Sequence, residues 1–278
     1  MIRKQYIEQA KVLVTVKAYP KPSGTYEELV CTAGLLDGND WVRIYPVPFR
    51  LLKGDNQYPK YAWIQLDLER RSEKDFRPES YRPLKGIHEE IKVIGKLGTD
   101  KYWEDRRSFV LKNVYSSMDD LIKDSRAPKN ISLGVLKPRM IDKVIIEPTD
   151  REWPKNWASY MQENDLFEVD SNNNKRLLKK IPYNFYYSFD TEDEVKRKLK
   201  IEDWEIGALY LSCLKQSEND EQLALRKVEQ KLYELAERDM YFFLGTTLQY
   251  HQRRALNPFI IIGLFYPPHN KQFTFDFS

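Results

Sequence analysis

Three groups of residues in this chain have the types and spacing to do chemistry. The first is Trp41, Arg43 and Tyr45, which share one face if residues 41–47 form a strand, while Val42, Ile44 and Val47 share the other. Rings flanking an arginine are suited to stacking on bases with a cation at hand for phosphate, and Arg50 and Lys53 extend that charge. The second is the basic and aromatic run Tyr250, His251, Arg253 and Arg254, which lies between two apolar stretches. The third is Asp203, Glu205 and His251, which would serve acid/base or metal-assisted catalysis if the fold brought them together. Asp203 and Glu205 are two residues apart, so on one helix they point apart, and the simpler reading of Asp203 is a helix cap.

Other chemistries lack their motifs. The three histidines, His88, His251 and His269, stand apart from one another, and no CxxC or HxxxH occurs, so no metal site and no cofactor are expected. Neither a phosphate-cradling GxxxxGK[ST], a GxGxxG nor a GxSxG is present. Cys31 and Cys213 both sit in apolar segments, where buried free thiols are the commoner state.

The elements that must position these residues follow from pattern and composition. With 41% hydrophobic, 31% charged and 13% aromatic residues the chain is globular, and at 278 residues it is long enough for two lobes. A net charge of +3 is too small for indiscriminate polyanion binding, so any nucleic-acid contact must come from local patches. No leader-like or membrane-spanning run is visible, which predicts a cytoplasmic protein with no membrane partner. Residues 11–17, 29–36, 41–47 and 61–70 read as four strands, the middle two joined by the turn-forming Asp37-Gly38-Asn39-Asp40. Residues 70–82 read as a charged loop, 101–123 as one or two helices, and 131–136 and 140–148 as strands. Residues 170–180 read as a mobile loop. A strand with one wholly aromatic face follows at 183–190, then helices near 202–214 and 220–238, and last strands at 241–248 and 259–266. No internal repeat of fixed period is found. The expected fold is α+β and β-rich: an OB-like small antiparallel barrel over residues 1–150, and an α+β lobe of strands and two helices over 151–278.

The segment VCTAGLLDGNDWVRIYPV at 30–47 resembles the opening of the dual OB-fold domains of prokaryotic defence-associated proteins. That resemblance implies one or two five-stranded barrels and nucleic-acid contact across a barrel face. The expectation is a module that binds DNA or RNA through Trp41, Arg43, Tyr45, Arg50, Lys53, Tyr250, Arg253 and Arg254, with a protein partner or self-association left open. Two alternatives stand beside it. One is an enzyme acting on nucleic acid or a nucleotide through Asp203, Glu205 and His251, and the other is a protein-interaction scaffold whose aromatic residues form core and interface.

Overall fold

The structure is a computed structural model and describes residues 4–19, 21–23, 27–47, 49, 52, 57–73, 75–154 and 179–269. Arg50, Lys53 and nearly all of the expected loop at 170–180 lie outside the described residues. The chain is α+β and strand-rich, with 39% strand against 25% helix.

The first barrel is built from β1 (Tyr6–Lys17), β2 (Lys21–Ser23), β3 (Glu27–Leu36), β4 (Trp41–Val47), β5 (Ala62–Arg70), β6 (Ser80–Pro83) and β7 (Lys92–Lys96). Five of these close on themselves in the order β1-β3-β4-β6-β5, with β5 pairing back to β1. The barrel is mixed rather than antiparallel, because β4 and β6 run parallel. A closed ring with an odd number of strands cannot alternate direction all the way round, so at least one neighbouring pair must be parallel. The fifth strand, β6, overlaps the end of the stretch expected to be a loop; Pro78 just before it and Pro83 at its last position mask its strand character. Strand alternation holds for Val42 and Ile44 from β4 and Ala62, Ile64, Leu66 and Leu68 from β5, which point into the barrel core, and a register shift between the Ile44 and Val47 pairings brings Val47 to the same side. The β3–β4 turn places Asn39 at φ 65°, which asparagine tolerates well. Gly34 permits the closest contact in the barrel wall, since a Cβ there would lie 2.2 Å from the Leu13 carbonyl oxygen.

The second sheet comprises β8 (Val114–Tyr115), β9 (Leu133–Leu136), β10 (Met140–Pro148), β11 (Tyr183–Asp190), β12 (Arg197–Ile201), β13 (Tyr241–Thr246) and β14 (Phe259–Phe265). Its order is β10-β11-β12-β14-β13-β9-β8. Consecutive strands β9 and β10 flank β13 and β11 respectively, so taken as one strand bent at residues 137–139 they bring the path back on itself. The result repeats the first barrel's path, down to the parallel pairing of its third and fifth strands, here β12 and β14. This repetition is one of topology without a fixed sequence period, because the insertions differ. Residues 114–148, expected with the N-terminal barrel, pair into this second sheet.

Five helices accompany the strands: α1 (Asp100–Val110), α2 (Met118–Asp124), α3 (Trp204–Gln216), α4 (Glu221–Ala236) and α5 (Leu248–Gln252). Asp203 caps α3 and Asp220 caps α4, each accepting a backbone N–H from the first turn. Ile206, Tyr210 and Cys213 of α3 and Ala224, Val228 and Leu232 of α4 bury against the aromatic face Phe185, Tyr187 and Phe189 of β11. No described helix is long and apolar enough to cross a membrane.

A third apolar cluster joins the two barrels. Leu13, Val16, Ala33 and Leu35 from outside the first barrel meet Leu133, Val135, Phe243 and Phe265 from the second, with Trp41 and Trp63 packed against them. The outer face of β3 and β4 is therefore an inter-barrel surface.

Candidate functional site

That packing decides the fate of the Trp41, Arg43 and Tyr45 face. Alternation points all three outward from the first barrel, but outward here means toward the second barrel. Trp41 meets Phe243 edge-on at 5.8 Å between ring centroids. The ring is half-buried against the inter-barrel cluster, which corrects the expectation of an open platform. Arg43 is buried, at 5% exposure, and bridges the barrels. Its Nη1 donates to Ser132 Oγ at 3.0 Å, and its Nη2 donates to the carbonyl oxygens of Ser132 at 3.2 Å and Thr246 at 3.3 Å. Glu79 completes the network by accepting from Ser132 N and Oγ. Burial, and then the neighbouring Arg77, pull the Arg43 pKa below its ordinary value, while Glu79 and Asp75 act against that pull.

Tyr45, half-buried, borders open space. It lines a cleft of about 350 Å³ between the barrels, together with Val16, Ala18, Cys31, Arg43, Arg71, Arg77, Thr246 and Ile262. The lining combines aliphatic side chains with three arginines. Arg77 is held by Asp75, with Nη2 at 2.5 Å from the carboxylate, and by the Thr246 carbonyl at 2.6 Å. Burial alone would raise the Asp75 pKa, but hydrogen bonds from Arg77 and Ser80 hold it below the usual carboxylate range. The other lining carboxylate, Glu202, pairs with Lys200 at 3.0 Å. With Arg43 facing Glu79 through Ser132 and Arg77 paired with Asp75, the lining charge left without a counterion among the described residues is Arg71. Its guanidinium lies 5.2 Å from the Tyr45 ring centroid, and Nη1 reaches the Tyr45 carbonyl at 3.4 Å, leaving most of its donors for another group.

The chain leading into the second basic cluster reaches the same cleft. Thr246, Thr247 and Leu248 line the cleft, and α5 begins at Leu248 with Thr247 as its cap. Tyr250, at 46% exposure, lies on that helix, and the exposed Arg253 and Arg254 directly follow it. His251 does not join them at the surface. It is buried, its Nδ1 lies 2.9 Å from Thr246 Oγ1, and its ring meets Phe76 edge-on. Burial, and then Arg77, push its pKa down.

Asp203 and Glu205 do meet, but on a lysine. Lys60 Nζ lies 2.7 Å from Asp203 Oδ2 and 3.0 Å from Glu205 Oε2, and this buried bridge ties the first barrel to the start of α3. Asp203 also accepts the backbone N–H groups of Glu205 and Leu264. The two carboxylates raise the Lys60 pKa against the effect of burial. Beside them Lys17 Nζ donates to the Tyr58 carbonyl at 3.1 Å and faces Phe49, and burial, then Lys60, lower its pKa to about 8. His251 contacts other residues, so the structure does not assemble the expected catalytic trio. Among the described residues no three of His, Cys, Asp and Glu come together as a metal-ligand set.

Sequence reasoning missed Arg71, Asp75, Arg77, Lys17 and Lys60. The first three lay in the stretch read as a solvated loop, where their close spacing was the available signal. The lysines gave none, because each is defined by partners far along the chain.

Residues 8–112 match a family described as a domain of unknown function, DUF8758, and residues 114–277 match a second, DUF8757. The boundary between the matches falls where strand pairing passes from the first barrel to the second sheet. No curated protein matches the chain. By a match that covers more than half of its length, the chain belongs to the DUF8757 family, with a DUF8758 domain preceding it.

Proposed function

We propose that this protein binds single-stranded nucleic acid at the inter-barrel cleft and along the rim formed by Tyr250, Arg253 and Arg254. The observation that carries this reading is Arg71: it lies over Tyr45 at a nucleotide-sized cleft, and no carboxylate among the described residues pairs with it. A planar base fits against the aliphatic lining, and phosphates fit Arg71 and the two rim arginines. The two free cysteines fit a reducing, cytoplasmic setting.

The test is fluorescence polarisation with short labelled DNA and RNA strands across a salt series. Arg71→Ala should weaken binding by about tenfold or more, because charge-assisted contacts and stacking on one base contribute roughly 1 to 3 kcal/mol. Arg253→Ala with Arg254→Ala should make the slope of log K against log salt shallower by about 1.4, from two lost single-strand phosphate contacts. If wild-type protein shows no affinity at low salt, or Arg71→Ala leaves affinity unchanged, the reading is wrong.

A further inference from the structure

Building on that reading of the cleft, we propose that it receives one nucleotide unit at the phosphorylated end of a strand rather than an internal stretch. Size is the first reason: about 350 Å³ lies at the small end of ligand sites, which run from roughly 300 to 1,000 Å³, and is enough for one nucleotide. The second reason is that one side of the cleft is bridged. Arg43 lines the cleft and spans from β4 to Ser132 and Thr246 of the second barrel, and Arg77 reaches the same Thr246 carbonyl. These bonds join the two barrels where Arg43, Arg77 and Thr246 line the cleft, which bars a strand on that side and favours entry by an end.

Charge is the third reason. A terminal phosphate monoester carries about −1.5 to −2 at neutral pH, against one charge for an internal diester, and gains more from an arginine without a counterion. Arg71 is that arginine, and its planar donor fork suits the bidentate geometry of a monoester. The aliphatic residues Val16, Ile260 and Ile262 line the same cleft and offer apolar surface for the base.

The experiment compares labelled thymidine decamers that differ only in their ends: 5′-phosphate, 3′-phosphate, hydroxyl at both ends, and a ligated circle. Thymidine 5′- and 3′-monophosphates serve as competitors. Wild-type protein should bind one of the phosphorylated decamers at least tenfold more tightly than the circle, and the matching mononucleotide should compete. Which decamer wins identifies the end. Ile260→Trp, which fills the cleft without changing charge, should reduce that decamer to the affinity of the circle while the melting temperature stays unchanged. Arg71→Lys should lose most of the end preference although the charge remains. Equal binding of circle and decamers, weakened in parallel by Arg71→Ala, would overturn the end pocket and leave the nucleic-acid reading standing. Calorimetric binding of a mononucleotide with no binding of any decamer would overturn both in favour of a free nucleotide. No binding of any probe would also overturn both.

Discussion

Replacing Arg43 by methionine separates the two roles an arginine could have on β4. Methionine keeps an unbranched apolar stem but removes all five donors. The Thr246 carbonyl would keep Arg77 at 2.6 Å, whereas the Ser132 carbonyl would lose its 3.2 Å partner and Ser132 Oγ its 3.0 Å one. Glu79, at 2% exposure, would be left in the interior without its facing cation. Hydrogen bonds to charged groups contribute roughly 1.5 to 3 kcal/mol each, and removing one member of a buried charged pair costs roughly 3 to 5 kcal/mol. Relief of Arg77 from its like-charged neighbour offsets part of that cost. The expected net loss is about 3 to 4 kcal/mol, read by urea titration, or roughly 6 to 15 °C in melting temperature for a chain of this size. Arg71→Met is the control, and its cost should stay within about 1 kcal/mol because Arg71 makes one long hydrogen bond at a partly exposed site. Adding Glu79→Gln to Arg43→Met should restore part of the loss, since it removes the stranded charge. If Arg43→Met stays within 1 kcal/mol of wild type, or Arg71→Met matches it, the assignment of Arg43 as the inter-barrel bridge is refuted.

Two more outcomes follow from the same packing. Trp41→Ala should destabilise the protein by about 3 to 5 kcal/mol, because the ring fills the inter-barrel cluster against Phe243, while oligonucleotide affinity per folded molecule stays unchanged; calorimetry and polarisation on the same sample check both. Lys17→Met should flatten the pH dependence of stability on the alkaline side. Below about pH 8 the folded and unfolded chains both hold the Lys17 proton, so the cost of burying the charge is present in full. Between about 8 and the ordinary value of 10.5 only the unfolded chain holds it, so this residue makes stability rise with pH. The rise is at most roughly 3 kcal/mol. Urea midpoints for wild type and variant at pH 7 and pH 10 should show the difference, and identical pH curves would contradict it.

Much of the fold was legible locally because a strand or helix advertises its own period. The alternation at 41–47, 62–70 and 183–190 told which side chains point the same way, and Val42, Ile44, Tyr187 and Phe189 are buried accordingly. Asp203 read as a cap and is one, since capping depends on the nearest N–H groups along the chain. Asn39 read as a turn residue and takes a positive φ. The mixed barrel was not legible, because its closing strand, β6, is four residues long, with Pro78 just before it and Pro83 at its last position.

The sequence by itself determined directions, and the tertiary structure decided destinations. Periodicity turned Trp41, Arg43 and Tyr45 out of the first barrel, but only the docking of the second barrel packed Trp41 against the inter-barrel cluster, made Arg43 a bridge and left Tyr45 at a cleft. Those contacts reach far along the chain: Arg43 to Thr246 spans 203 residues and Lys60 to Asp203 spans 143. Local propensity carries no information at such separations. Which outer face meets which is set by the summed burial of two surfaces, each formed only after its own barrel has closed.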